Sequence, residues 1–136
     1  MAFALNNTLK NALLGNIITY IAGTTGTGGT ASLTIRAGAQ PDADATGTGG
    51  TLCVITGIGW EPGTAGTSNL STSSYVGTAG STDTAVWARL ECISDTGTCR
   101  IDGDVGTAST NTFTINTVNL TEDGEVTLSA TSINVS

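Results

Sequence analysis

From Thr84 to Gly106 apolar and polar side chains alternate at period two, with Val86, Leu90 and Cys92 on one face and Trp87, Arg89 and Glu91 on the other. After Ser94-Asp95-Thr96-Gly97 the alternation resumes with Cys99, Ile101 and Val105 opposite Arg100, Asp102 and Asp104. This pattern predicts a β-hairpin. Asp95 and Thr96 suit right-handed turn positions and Gly97 can take the positive φ that follows, which favours a short loop closed by a glycine bulge. Each strand has one apolar and one polar face, as in an antiparallel sheet with one side on a core and the other against water or a partner.

A different period governs the N-terminus. Leu5, Leu9, Leu13, Ile17 and Ile21 recur every fourth residue, Leu14 and Ile18 widen the stripe, and Asn7, Lys10, Asn11 and Asn16 take the other side. The spacing predicts an amphipathic helix near residues 8–22, capped by Asn7 or Thr8 and ended by Gly23. Its stripe is expected to pack on the domain's own sheet or on a neighbouring subunit. A single lysine gives it little attraction to anionic lipid. Residues 23–31, GTTGTGGTA, read as a linker without the lysine or the spacing of a phosphate loop.

Leu33, Ile35 and Ala37 then alternate with Thr34 and Arg36 as a strand stopped by Gln40-Pro41-Asp42. After a 42–50 loop, Thr51 to Ile58 reads as a second strand, apolar on both faces and so central in its sheet or covered on both sides. Residues 64–81 read as an exposed loop with one weak edge strand at Leu70, Tyr75 and Val76. A second hairpin follows: Phe113, Ile115, Val118 and Leu120 lead into Glu122-Asp123-Gly124, and Val126, Leu128 and Ala130 lead out, then Ile133 and Val135. The alternation slips between Ile115 and Val118 and again between Ala130 and Ile133, which predicts a bulge or bend in each strand and one shared curl of the sheet.

Composition supports a strand-rich reading. The 136 residues include 27 threonines and 19 glycines, which favour half-buried pleated positions and bends, and only 11% are charged. The expected fold is all-β: an antiparallel β-sandwich or jelly-roll-like domain of about eight strands with one short N-terminal α-helix. Residues 1–31 form the helix and linker, and 32–136 the sandwich domain. Four basic residues against 11 acidic ones give a net charge of -7, and Lys10, Arg36, Arg89 and Arg100 are scattered, which disfavours nucleic acid. The N-terminal apolar stretch is too interrupted for a signal core or a membrane span, so the mature protein is expected to begin near Met1 and to be made in a reducing cytosol.

Candidate chemistry is sparse. The absence of histidine removes the commonest general base and transition-metal ligand. Cys53, Cys92 and Cys99 form no CxxC pair, and the bulged turn offsets Cys92 from Cys99, so free thiols are expected rather than a zinc site or a disulfide. Asp42 with Asp44 and Asp102 with Asp104 are the only paired carboxylates that suit a hard cation, and Asp102 and Asp104 are spaced to share a strand face, but without further ligands they read as solvated acids. No catalytic, cofactor-binding or metal-ligating residue is assigned. The most interface-like side chains are Leu5, Leu9, Leu13 and Ile17 on the helix, and Trp60, Tyr75, Trp87 and Arg89 on the β region, with anchoring of the core as the alternative for either tryptophan.

The order LKNALLGNI, LTIRAGAQP (Leu33 to Pro41), TGTGGTL (Thr46 to Leu52), WARLECISDTGTCRIDGDVG and the closing NTFTINTVNLTEDGEVTLSATSINVS resembles a family of small structural proteins of tailed-bacteriophage virions. The resemblance spans nearly the whole chain and rests on turn and strand motifs. The Gly/Thr insertion after the helix and Gly57 and Gly59 depart from it. It implies an all-β head decoration or tail protein without catalytic residues or cofactor. The expected partners are the major capsid protein and further copies of the chain, with a trimer favoured, at the capsid surface after synthesis in the host cytoplasm. The alternative is a tail- or fibre-associated module binding host surface or carbohydrate, with Trp60, Tyr75 or Trp87 as stacking platforms.

Overall fold

The computed structural model describes residues 4–92 and 100–135. In chain order the elements are α1 (Asn7–Ala22), β1 (Ala31–Arg36), β2 (Thr51–Ile58), β3 (Thr67–Asn69), β4 (Ser74–Thr78) and β5 (Asp83–Thr84). These are followed by β6 (Trp87–Cys92), β7 (Arg100–Gly106), β8 (Phe113–Ile115), β9 (Asn119–Leu120), β10 (Glu125–Ser129) and β11 (Ser132–Asn134). Seven strands form one sheet in the order β2-β1-β6-β7-β8-β10-β4, and β11 with β3 and β5 with β9 form two small ladders.

The large sheet nearly closes on itself. Its end strands β2 and β4 approach across a seam held by the Cys53↔Ala79 bridge and by a 2.7 Å hydrogen bond from Gly80 N to Leu52 O. Gly77 makes this approach possible, because a Cβ there would lie 2.9 Å from Cys53 Sγ and 3.0 Å from Val54 O. The weak edge strand expected around Tyr75 and Val76 is thus β4, an end strand of the sheet, and it brings the sheet's two ends together. β2 is covered on its outer side only in part, since Val54 is exposed.

Not every pairing is antiparallel. β7 and β8 run parallel through Val105↔Phe113 and Gly106↔Thr114. A parallel neighbour usually needs a long crossover, but a ladder of two residue pairs asks the chain to retrace only about 7 Å, which residues 107–112 can do. The expected shared bend also resolves differently. At the two slips the chain leaves the main sheet: after β8 it enters β9 against β5, and after β10 it enters β11 against β3. Ala130, with φ 48°, makes the second departure. In the central hairpin the register from Trp87↔Asp104 to Glu91↔Arg100 is unbroken. The expected Asp95–Gly97 turn and Cys99 lie outside the described residues.

Helix α1 is capped by Asn6, one residue before the expected caps, whose Oδ1 accepts from Leu9 N at 2.9 Å. Gly23 ends it in the left-handed conformation as expected. Leu14, Ile18, Ile21 and Ala22 join the sheet's inward residues, among them Leu33, Ile35, Ile55, Leu90, Ile115 and Leu128, in one core. Leu9 and Leu13 do not. At 3.6 residues per turn each four-residue step overshoots a full turn by about 40°, so a row from Leu5 to Ile21 winds roughly 160° around the helix. It begins on the outer side and reaches the core only at its end.

The 23–31 linker is built into the structure. Gly26 N donates to Trp60 O at 2.6 Å and Thr30 N to Ala22 O at 2.9 Å. Gly29 and Gly59 lie backbone against backbone, and a Cβ on Gly59 would meet Gly26 O at 2.5 Å. Only glycine fits at such an approach.

Candidate functional site

The outward face of β1, β6 and β7 carries Arg36, Trp87, Arg89, Arg100 and Asp102. Strand pairing sets Arg89 directly opposite Asp102, and the two meet in a bidentate ion pair, Nε to Oδ1 at 2.8 Å and Nη2 to Oδ2 at 2.7 Å. Their side chains are only 6% and 2% exposed. The hydrogen bonds to Asp102 push the Arg89 pKa up, outweighing burial, so the guanidinium stays charged. What covers the pair is the 42–50 loop. Its carbonyls have no strand to pair with and take guanidinium donors instead. Arg89 Nη1 donates to Ala45 O at 2.8 Å, Arg100 Nη1 to Ala43 O and Ala45 O at 3.2 and 3.1 Å, and Arg36 Nη1 to Gly49 O at 3.1 Å. Trp87 is fully buried, with the guanidinium carbons of Arg36 and Arg89 5.9 and 5.5 Å from its ring centroid.

This cluster fastens the loop and corrects two expectations. Arg89, expected on an outward face open to a partner, is buried beneath the chain's own loop, and Trp87 is buried beside it, in keeping with the core-anchor alternative for that tryptophan. Asp102 is not a solvated acid on an open face, whereas Asp104 is exposed. Asp102 is the counter-ion of Arg89. Asp104 accepts from Asn111 Nδ2 at 2.6 Å, Thr112 Oγ1 at 2.6 Å and Thr112 N at 3.0 Å. Those bonds, led by the one from Asn111, hold its carboxyl down at about 2 and tie the 107–112 return to β7. Asp42 and Asp44 are exposed on the covering loop. Among the described residues no group of three or more His, Cys, Asp or Glu side chains could hold a metal ion.

The other β-region candidates also have structural work. Trp60 is fully buried. Tyr75 is half-buried, and its hydroxyl lies 2.6 Å from Ser71 Oγ and accepts from Gly59 N at 3.0 Å, pinning β4 to the end of β2. Cys53 is buried at the seam, where desolvation raises its thiol pKa, and Cys92 is buried at the end of β6. A crevice of about 330 Å³ between α1, β7 and β11 is walled by Ile17, Ile101, Ile133 and the buried Trp60 and Phe113. Among the described residues its lining includes hydroxyl and amide side chains and no acidic or basic one.

The helix is different. Leu9 is 47%, Leu13 38% and Tyr20 69% exposed. Leu5 and Ile17 are half-buried. On the helical wheel Leu9, Leu13, Asn16 and Tyr20 fall within about 60° of one another, nearly opposite Leu14 and Ile18. α1 therefore has two apolar faces, one in the core and one in solvent. The sequence reading missed Tyr20 and Asn16, although the drift of a four-residue row around the helix would have placed them beside Leu9 and Leu13. No helix is long and apolar enough to cross a membrane among the described residues.

Compared with known protein families, curated proteins and solved structures, the chain matches none.

Proposed function

We propose that the chain is a non-enzymatic structural protein of a tailed-bacteriophage virion. Within that class it reads best as a capsid decoration or cement protein that binds and stabilises the lattice of the major capsid protein. The observation that carries this reading is the outer face of α1, an apolar stripe on a helix whose core face is already filled. A helix apolar on both sides is built to be covered on both. The arginines and the Asp102 and Asp104 carboxylates, by contrast, are engaged in holding loops, which leaves surface rather than chemistry as what the protein offers. Binding a lattice in many symmetric copies turns weak contacts into firm attachment without a deep pocket.

The order of motifs along the sequence supports the virion assignment, and a self-associating chain, with a trimer favoured, suits local symmetry on a capsid. We also infer that the nearly closed sheet acts as a flattened, sandwich-like body, with β2-β1-β6 facing β8-β10-β4 across the core. The carbohydrate-binding alternative is weakened by the burial of Trp60 and Trp87, two of its three stacking platforms. The test is rebinding: particles stripped of the protein should take up the purified chain at saturating, symmetric occupancy and gain resistance to heat. Failure to rebind, or labelling at the tail tip, would overturn the cement reading.

A further inference from the structure

We propose that the crevice between α1, β7 and β11 is a binding site for a small, uncharged, largely apolar molecule that presents one hydrogen-bond acceptor to Trp60. The site stands apart from the virion reading, which makes no use of it. Among its walls Trp60, Leu90 and Phe113 belong to the core, and Ile17, Ile101 and Ile133 are half-buried side chains packed against that core. Yet the indole N–H of Trp60 is buried and has no hydrogen-bond partner. A donor kept from bulk water and left unpaired is costly, and folded proteins rarely keep one without a use. The other polar side chains of the lining are engaged within the protein. Thr112 Oγ1 donates to Asp104 Oδ1 at 2.6 Å, Thr131 Oγ1 to Ser129 O at 3.1 Å, and Asn134 Nδ2 to Ser132 Oγ at 3.3 Å. Among the described residues, Trp60 Nε1 is therefore the only buried side-chain nitrogen or oxygen of the lining without a partner.

Size and charge narrow the occupant further. The volume of about 330 Å³ lies at the small end for ligand pockets and is roughly twice that of an apolar cavity of about 150 Å³ that takes up benzene. One turn of a partner's helix, about 10 Å across and about 5.4 Å tall, already exceeds that space. The described lining holds no acidic or basic side chain, so a charged group would give up its water without gaining a counter-ion. A neutral two-ring molecule with a ketone or ether oxygen meets all of these conditions. The wall that takes the oxygen is fixed beforehand: Trp60 O accepts from Gly26 N at 2.6 Å and Trp60 bridges to Leu70, so binding has little left to order.

Indanone, two fused rings with one ketone, is the probe, and indane and indane carboxylate are its controls. Titrated into the isotope-labelled full chain and followed by NMR, indanone should saturate and shift the amides of Ile101, Phe113 and Ile133. It should move the Trp60 indole proton to lower field and leave that of Trp87 in place. Indane, which lacks the acceptor, should shift the same amides without the low-field move of Trp60. The carboxylate should bind at least about tenfold more weakly than indanone. Ile133→Trp, which fills the crevice from a half-buried position, should weaken indanone at least about tenfold with circular dichroism unchanged, and Val54→Trp, exposed and outside the lining, should not. No saturable shift at the crevice, a Trp60 proton that moves alike with indanone and indane, a carboxylate that binds as tightly as the ketone, or undiminished binding in folded Ile133→Trp would each overturn the proposal. None of these results bears on rebinding to stripped particles, which decides the virion reading.

Discussion

Replacing Asp102 with Asn keeps the shape of the Arg89 partner and removes its charge. In the native protein the two make two charge-assisted bonds at 2.7 and 2.8 Å with almost no exposure to water. Breaking such a pair from one side costs about 3 to 5 kcal/mol, most of it the penalty of leaving a buried charge without a counter-ion. Asn still offers one oxygen to a guanidinium N–H, and Ala45 O remains, so the lower end applies, about 3 kcal/mol. In a domain of this size that corresponds to a fall of roughly 12 °C in melting temperature. Urea denaturation followed by tryptophan fluorescence reads it directly, since Trp87 is stacked against Arg89. Added salt should leave the loss nearly unchanged, because a desolvated pair is poorly screened. Arg89→Met with Asp102→Leu should recover most of the stability, because Arg100 also donates to Ala43 O and Ala45 O. A cost below about 1 kcal/mol for Asp102→Asn, the range of exposed pairs, would show that the 42–50 loop opens and that the cluster does not hold it.

Three further outcomes follow from the same structure. Gly59→Ala should cost more than about 2 kcal/mol, since its Cβ meets backbone at Gly26 and Gly29, whereas Gly15→Ala in α1 meets nothing within 4 Å and should stabilise by about 0.5 to 1 kcal/mol; thermal melts of the two compare them. Asp104 has a folded pKa of about 2 against an ordinary 3.8, so its contribution is full above 3.8 and is lost as pH falls toward 2; urea midpoints over that window should drop in the wild type and be flatter in Asp104→Asn. Cys53, buried and with its thiol pKa raised, should resist an aromatic disulfide reagent in the native protein and react on unfolding; rapid native labelling of Cys53 by mass spectrometry would contradict closure of the β2–β4 seam.

Much of the local structure was legible in the sequence because it depends on neighbours in the chain. Period-two alternation located β1, β2, β6 and β7, and Gly23 marked the end of α1, since side-chain facing and turn conformation are set within a few residues. The slips at Ile115–Val118 and Ala130–Ile133 marked where strands break. Sequence could not say which strand lies beside which. The parallel β7–β8 pair, the seam between β2 and β4, and the departures into β9 and β11 depend on where distant segments lie. Nor could alternation reveal that the polar face of β6 is covered. Trp87 and Arg89 alternate outward as a solvent-facing pair would, and only the fold brings Arg36, Arg100 and the loop carbonyls over them. In the helix, spacing alone could not tell which part of a winding apolar row meets the core. That was decided by the sheet, which takes Leu14, Ile18 and Ile21 and leaves Leu9, Leu13 and Tyr20 outside, because one flat core can cover only one side of a cylinder.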